Sequence, residues 1–193
     1  MTGSPPDIVV DHSPLWAAVT VGDDIDPWSV GAADDLWRRS EQPYSRLDVQ
    51  RLAAKLAVLG EAVQRSGSFG AFFLCPELAR GPQSVVRLNG LSHPPDMDLQ
   101  EVLDDFLFPA GQQLLQPQVE HIAGPGLPRV RVRQRAYTDD DTRSLSDFVA
   151  YFFPFDDAAW VLSVSFLDPL QAERWLPELD ALAAGVQLRG RES

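Results

Sequence analysis

Between Ser146 and Phe155 the chain reads Ser-Asp-Phe-Val-Ala-Tyr-Phe-Phe-Pro-Phe, and from Phe148 to Phe153 no polar side remains for water. An apolar run too short for a helix and rich in aromatic and β-branched residues reads as a strand covered on both faces. Its neighbours reinforce this. Pro128–Tyr137 alternates strictly and Ala159–Leu167 is strand-like, while the connections Thr138–Arg143 and Asp156-Asp157 are polar and short enough for hairpins. Three such strands in succession predict an antiparallel meander. Asp168 followed by Pro169 then starts a helix, whose buried side is Leu170, Trp175, Leu176, Leu179 and Leu182. Pro177 is expected to kink that helix and Gly185 to end it.

Upstream, Leu15–Val21 predicts a first strand and Gly22–Pro27 an acidic turn. Trp28, Leu36 and Trp37 suit one side of a short helix within residues 28–43, which Gly31 weakens. From Ser45 to Ser66 the helical spacing of Leu52, Leu56, Leu59 and Val63 is clear, with Gly67 placed to stop it. Gly60 inside that helix costs up to about 1 kcal/mol against alanine, so a close neighbour is expected there. Phe69–Cys75 and Ser84–Leu88 read as a hairpin with a long loop, and Asp98–Phe108 as a helix capped by Asp98 and Glu101. Pro109 and Gly111 stop it, and Gln118–Ile122 is one more strand. Strands in runs, joined by hairpins and covered by helices, make the expected fold class α+β with a mainly antiparallel sheet. Residues 1–10 are expected to be a disordered tail and 11–190 a single domain.

The chain has 193 residues and a formal charge of −12, from 28 acidic and 16 basic residues. That balance repels nucleic-acid backbones and anionic membrane surfaces, so nucleic-acid binding and membrane insertion are not expected. The basic residues are arginine except Lys55, a composition typical of a GC-rich, actinobacterial genome. The single cysteine, Cys75, excludes an internal disulfide and, lying in an apolar run, reads as a buried thiol. With no basic segment leading into an apolar run, the expected location is the cytoplasm.

The segments Phe-Val-Ala-Tyr-Phe-Phe-Pro (148–154), Trp-Val-Leu-Ser-Val-Ser-Phe (160–166) and Leu-Asp-Ala-Leu-Ala (179–183), the last in a proline-started helix, resemble PsbP-like domains, including the actinobacterial LpqN-type proteins. The resemblance is carried mainly by residues 146–185. It implies an α/β/α sandwich used mostly as a binding or accessory module. No active site is shared across that fold, so no catalytic residue is carried over. The lipoprotein signal of the LpqN type is not matched here, which sets the expected location apart from the cell envelope.

The chief candidate for function is the row Arg129, Arg131, Arg133 and Arg135, at every second position of one strand. Period 2 puts all four on one face, with Val130 and Val132 on the other. Neighbouring guanidiniums about 7 Å apart repel by roughly 0.6 kcal/mol in water and ~2.4 kcal/mol at an effective dielectric near 20. Such a row therefore needs acidic company: either the chain's own carboxylates on a solvated sheet face, or an acidic partner or anionic ligand. Asp139-Asp140-Asp141 lacks the glycine and distal glutamate of a calcium loop and reads as a solvated turn. His12, His93 and His121 show no zinc spacing, and no nucleophile elbow, phosphate loop or dinucleotide fingerprint occurs. Trp16, Trp28 and Trp37 read as core or lid residues. No cofactor and no catalysis are expected. The leading expectation is a protein-interaction module that meets a partner's acidic surface through the arginine row. The alternative is a small-molecule binder, or an enzyme, with a pocket near Phe69–Phe73 and Tyr151–Phe153.

Overall fold

The computed structural model describes residues 7–93, 101–103, 107, 113–124, 126–137, 144–155 and 158–189. Its elements are β1 (Ile8–Val10), β2 (Trp16–Thr20), α1 (Ile25–Arg39), α2 (Arg46–Arg65), β3 (Gly70–Leu74), β4 (Ser84–Ser92), β5 (Gln118–Ile122), β6 (Arg129–Tyr137), β7 (Leu145–Pro154), β8 (Ala158–Phe166), α3 (Pro169–Ala184) and β9 (Val186–Leu188). The fold is α+β, with antiparallel strands covered by helices. The chain divides into two compact units, residues 12–89 and residues 1–11 with 90–193.

In the 12–89 unit, β2, β3 and β4 are neighbours in that order, and α1 and α2 pack on β2 and β3. The helix α2 starts where Ser45 and Asp48 cap each other reciprocally: Ser45 Oγ accepts from the Asp48 N–H, and Asp48 accepts from the Ser45 N–H. Leu52, Leu56 and Val63 then point into a core shared with Ile25, Leu36, Ala71 and Phe73. The helix α1 begins at Ile25, inside the stretch expected to be an acidic turn. Pro27 sits in its first turn, where the missing N–H has no helical partner to lose. Gly31 is tolerated because its position is exposed and open. Trp16 and Trp37 are core residues, and Trp28 donates from Nε1 to the Ala18 carbonyl.

In the other unit the strand order is β8-β7-β6-β5, all antiparallel. The central strand β7 is buried on both faces, as its unbroken apolar run requires. On one face, Val130, Val132, Ala150, Phe152 and Val161 pack with Leu103 and Leu107. On the other, β6 and β7 meet α3, which opens with the Asp168 side chain accepting from the Leu170 N–H and Pro169 at the first position. A small antiparallel pair, β1 with β9, joins Ile8–Val10 to Val186–Leu188. Residues 8–10 of the expected tail are therefore strand. Of the expected helix Asp98–Phe108, residues 101–103 are helical and 107 is a bend, and the remainder lies outside the described residues. The turns expected at Asp139–Asp141 and Asp156-Asp157 lie outside the described residues, as do Pro109 and Gly111.

The close neighbour expected of Gly60 is α1. A Cβ at Gly60 would stand 3.1 Å from both Ile25 Cδ1 and Trp28 Cζ3. Replacing Gly60 with alanine trades that small crowding against better helix propensity and is expected to change stability by less than about 1 kcal/mol. Leucine has no room and should cost about 1–3 kcal/mol, read as a lowered urea midpoint with an unchanged slope.

Candidate functional site

The arginine row lies beneath α3, and Arg131, Arg133 and Arg135 are held by the protein's own carboxylates. Arg131 Nη1 donates to both oxygens of Asp180 on α3, at 2.8 and 2.7 Å, and its Nη2 donates to Glu120 Oε2 on β5 at 2.7 Å. Tyr151, the residue across from Arg131 on β7, adds its hydroxyl to the same Asp180 Oδ1 at 2.8 Å. Arg133 Nη2 lies 2.6 Å from Asp147 Oδ2 and 2.8 Å from Glu173 Oε1 on α3. Arg135 grips Asp147 with two nitrogens, Nε at 2.6 Å from Oδ1 and Nη2 at 2.9 Å from Oδ2. Arg129 is buried and donates to the Leu127 carbonyl at 3.4 Å.

Period 2 explains the arrangement. Register sets Arg131 against Tyr151 and Arg135 against Asp147, so residues facing α3 from β6 meet residues facing α3 from β7. Glu120 reaches the row because it opposes Arg131 on the other side. From above, Glu173 and Asp180 stand two turns apart on α3, at the spacing that puts both on one helix face. Three guanidiniums thus share four carboxylates, and the repulsion that the bare row predicts is cancelled by contacts of about 2.6–2.8 Å.

The carboxylates differ in burial. The Asp147 side chain has 0% exposure, whereas Glu173 is 58% exposed. Burial alone would push the Asp147 carboxyl up, but the hydrogen bonds from Arg135 and Arg133 outweigh it and hold it below its usual range. Glu173 is lowered too, by its hydrogen bond with Arg133. The Tyr151 phenol is pushed up, first by burial and then by the Asp180 charge, so it stays a donor at any physiological pH. Beside Arg133 and Arg135 opens a polar pocket of about 150 Å³, also lined by Gln116, Gln118, Asp147 and Glu173. Arg133 and Arg135 remain 17% and 27% exposed there.

Sequence reasoning picks out the four arginines but not their partners. Asp147 hides inside an apolar strand, and Glu173 and Asp180 belong to a helix distant in sequence. The one available signal is a lone acid at the head of β7, which a buried strand tolerates only when it is paired. At the other candidate location, Phe69–Phe73 and Tyr151–Phe153, Phe69 is exposed while Ala71–Phe73 and Tyr151–Phe153 are buried core. Cys75 is buried and its thiol is pushed up to about 12 by burial, so it holds its proton. No helix is long and apolar enough to cross a membrane among the described residues.

The fold and this cluster define an α+β protein in which a helix is tied to a sheet by an ion ladder. No protein-family model matches the chain, and no curated protein matches it. Solved structures similar to it include the following two. One is LpqN, involved in cell envelope biogenesis of Mycobacterium tuberculosis, with 12% identity, 97% of this chain and 86% of that chain covered, and a TM-score of 0.45. The other is the cyanobacterial PsbP (CyanoP) of Synechocystis sp. PCC 6803, with 9% identity, 96% and 94% covered, and a TM-score of 0.41. The PsbP-like and LpqN-type resemblance read from residues 146–185 has its counterpart in these two structures.

Asp147→Asn should cost about 3–5 kcal/mol at neutral pH, because it leaves two partly buried guanidiniums facing a neutral group. The wild-type contribution has a definite pH window. The folded value lies below the ordinary 3.8, so the stabilisation is present above about pH 4 and is lost as pH falls through the folded value. Melting temperatures measured from pH 6 to 2 should therefore fall more steeply below pH 4 in the wild type than in Asp147→Asn.

Proposed function

We propose that the protein is a non-catalytic binding module that takes an acidic group of a protein partner in the pocket over Arg133 and Arg135. The observation that carries this reading is the unequal hold on the two carboxylates at the pocket. Asp147 is sealed in and fixed by two arginines, but Glu173 sits on the surface of α3 and pairs with Arg133 from outside. A partner's aspartate or glutamate can exchange with Glu173 without disturbing the buried core of the ladder. The exchange exposes one unbalanced cation to the incoming carboxylate, and a space of about 150 Å³ suits a group of that size.

Charge distribution narrows the partner further. The unit that holds the pocket carries 19 of the acidic residues and 8 of the basic ones. A broad acidic face would be repelled by it, so the partner presents an isolated carboxylate on an otherwise neutral or basic surface. In this reading the pocket binds rather than reacts: Asp147 is held by Arg133 and Arg135, and Cys75 keeps its proton.

A capped peptide with one glutamate among alanines and serines serves as the probe, followed by calorimetry and by the arginine side-chain signals of the full chain. Glu173→Gln is expected to bind it at least fivefold more tightly than wild type, and Arg135→Gln to lose binding. The same peptide with glutamine should not bind. Equal affinity of wild type and Glu173→Gln, or equal binding of the two peptides, would remove the pocket from the function.

A further inference from the structure

The 12–89 unit contains a cavity of about 440 Å³, in the size range of small-molecule sites and unrelated to the arginine row. Its apolar wall includes Leu15, Leu36, Trp37 and Leu78, and its mouth carries Arg39 and Arg80. Three features make this more than a surface hollow. Trp37 is 6% exposed, and its indole Nε1–H has no acceptor among the described residues. A buried donor without an acceptor is unfavourable, and Trp37 itself lines the cavity, so its indole signal reports on an occupant. Arg39 forms no ion pair among the described residues: its Nε donates to the Asp35 carbonyl at 3.2 Å, in contrast to the satisfied arginines of β6. The turn that carries Leu78 and Arg80 is fixed from α2, where Lys55 Nζ donates to the carbonyls of Arg80 and Ala79 at 2.8 and 3.3 Å. The wall is therefore preformed rather than assembled on binding.

Charge settles the class of occupant. Arg80 is paired with Glu77 at 3.0 Å across a solvated contact, and Arg39 is in excess, so the mouth is positive by one on an acidic protein. We propose that this cavity binds a small amphipathic carboxylate, with its apolar body against Leu15, Leu36 and Leu78 and its carboxylate between Arg39 and Arg80. The site is independent of the pocket over Arg133 and Arg135, and either can fail without the other.

Decanoate, kept below its micellar range, is the probe, and decanol is the uncharged control. The full chain labelled with ¹⁵N gives an indole signal for each of its five tryptophans, and Trp37→Phe identifies the one that matters. Decanoate should shift the Trp37 signal saturably, with decanol at least tenfold weaker. Arg39→Gln combined with Arg80→Gln should weaken decanoate at least fivefold, and Ala79→Phe, a substitution at an exposed wall position, should block it while circular dichroism stays unchanged. A Trp37 signal that does not respond, or equal binding of decanol and decanoate, overturns the proposal.

Discussion

Like charges on one strand face set the terms for the largest part of this molecule. Four arginines at alternate positions of β6 cannot stand under a helix unless anions come with them. The chain supplies those anions from three directions: Glu120 from β5, Asp147 from β7, and Glu173 and Asp180 from α3. Because the anions come from three different elements, the ladder also specifies how those elements meet. A shift of β7 by one residue would carry Asp147 to the opposite face and strand two guanidiniums. A rotation of α3 would take Glu173 and Asp180 away together. Apolar packing would tolerate several arrangements of Leu, Val and Phe, whereas the ion pairs accept one.

The arrangement also shows why a buried network is poor evidence for activity by itself. Perturbed carboxylates gathered near a pocket often mark catalysis. Here the perturbation of Asp147 is accounted for by Arg133 and Arg135 and its burial. Chemistry needs a group poised and unsatisfied. By that criterion the cavity with Arg39 and Trp37 is a better place for a ligand than the centre of the ladder, where an exposed carboxylate such as Glu173 has first to give up its place.

Much of the fold was legible in the sequence because it rests on periodicity. The strands at residues 118–122 and 129–137 and the helix after Asp168 follow from alternation, an unbroken apolar run and a proline at the first helical position. The start of α1 and the short strands β1 and β9 were not legible, for physical reasons. The helix α1 starts among acids with a proline in its first turn, signals shared with a turn, and only packing of Ile25, Leu36 and Trp37 on the core decides between them. The strands β1 and β9 are three residues each, too short for any pattern, and exist because they find one another. At the candidate site the cations announced themselves by spacing. Their partners could not, since Asp147, Glu173 and Asp180 converge only after the sheet has formed and α3 has settled on it.

The pairing of β1 with β9 has a kinetic consequence. Ile8 meets Leu188, so almost the whole chain must be made before the first strand finds its place. Closing so long a loop carries an entropic cost that local contacts do not bear, and folds completed by distant pairings form late. The 12–89 unit, by contrast, is continuous in sequence and emerges first during synthesis. The two units therefore mature in order: an early one that closes on its own residues, and a late one whose opening segment waits for its closing segment. Gly185 guards that last step, since a Cβ there would fall 1.9 Å from the Asp11 carbonyl oxygen, and the clasp could not shut over any larger side chain.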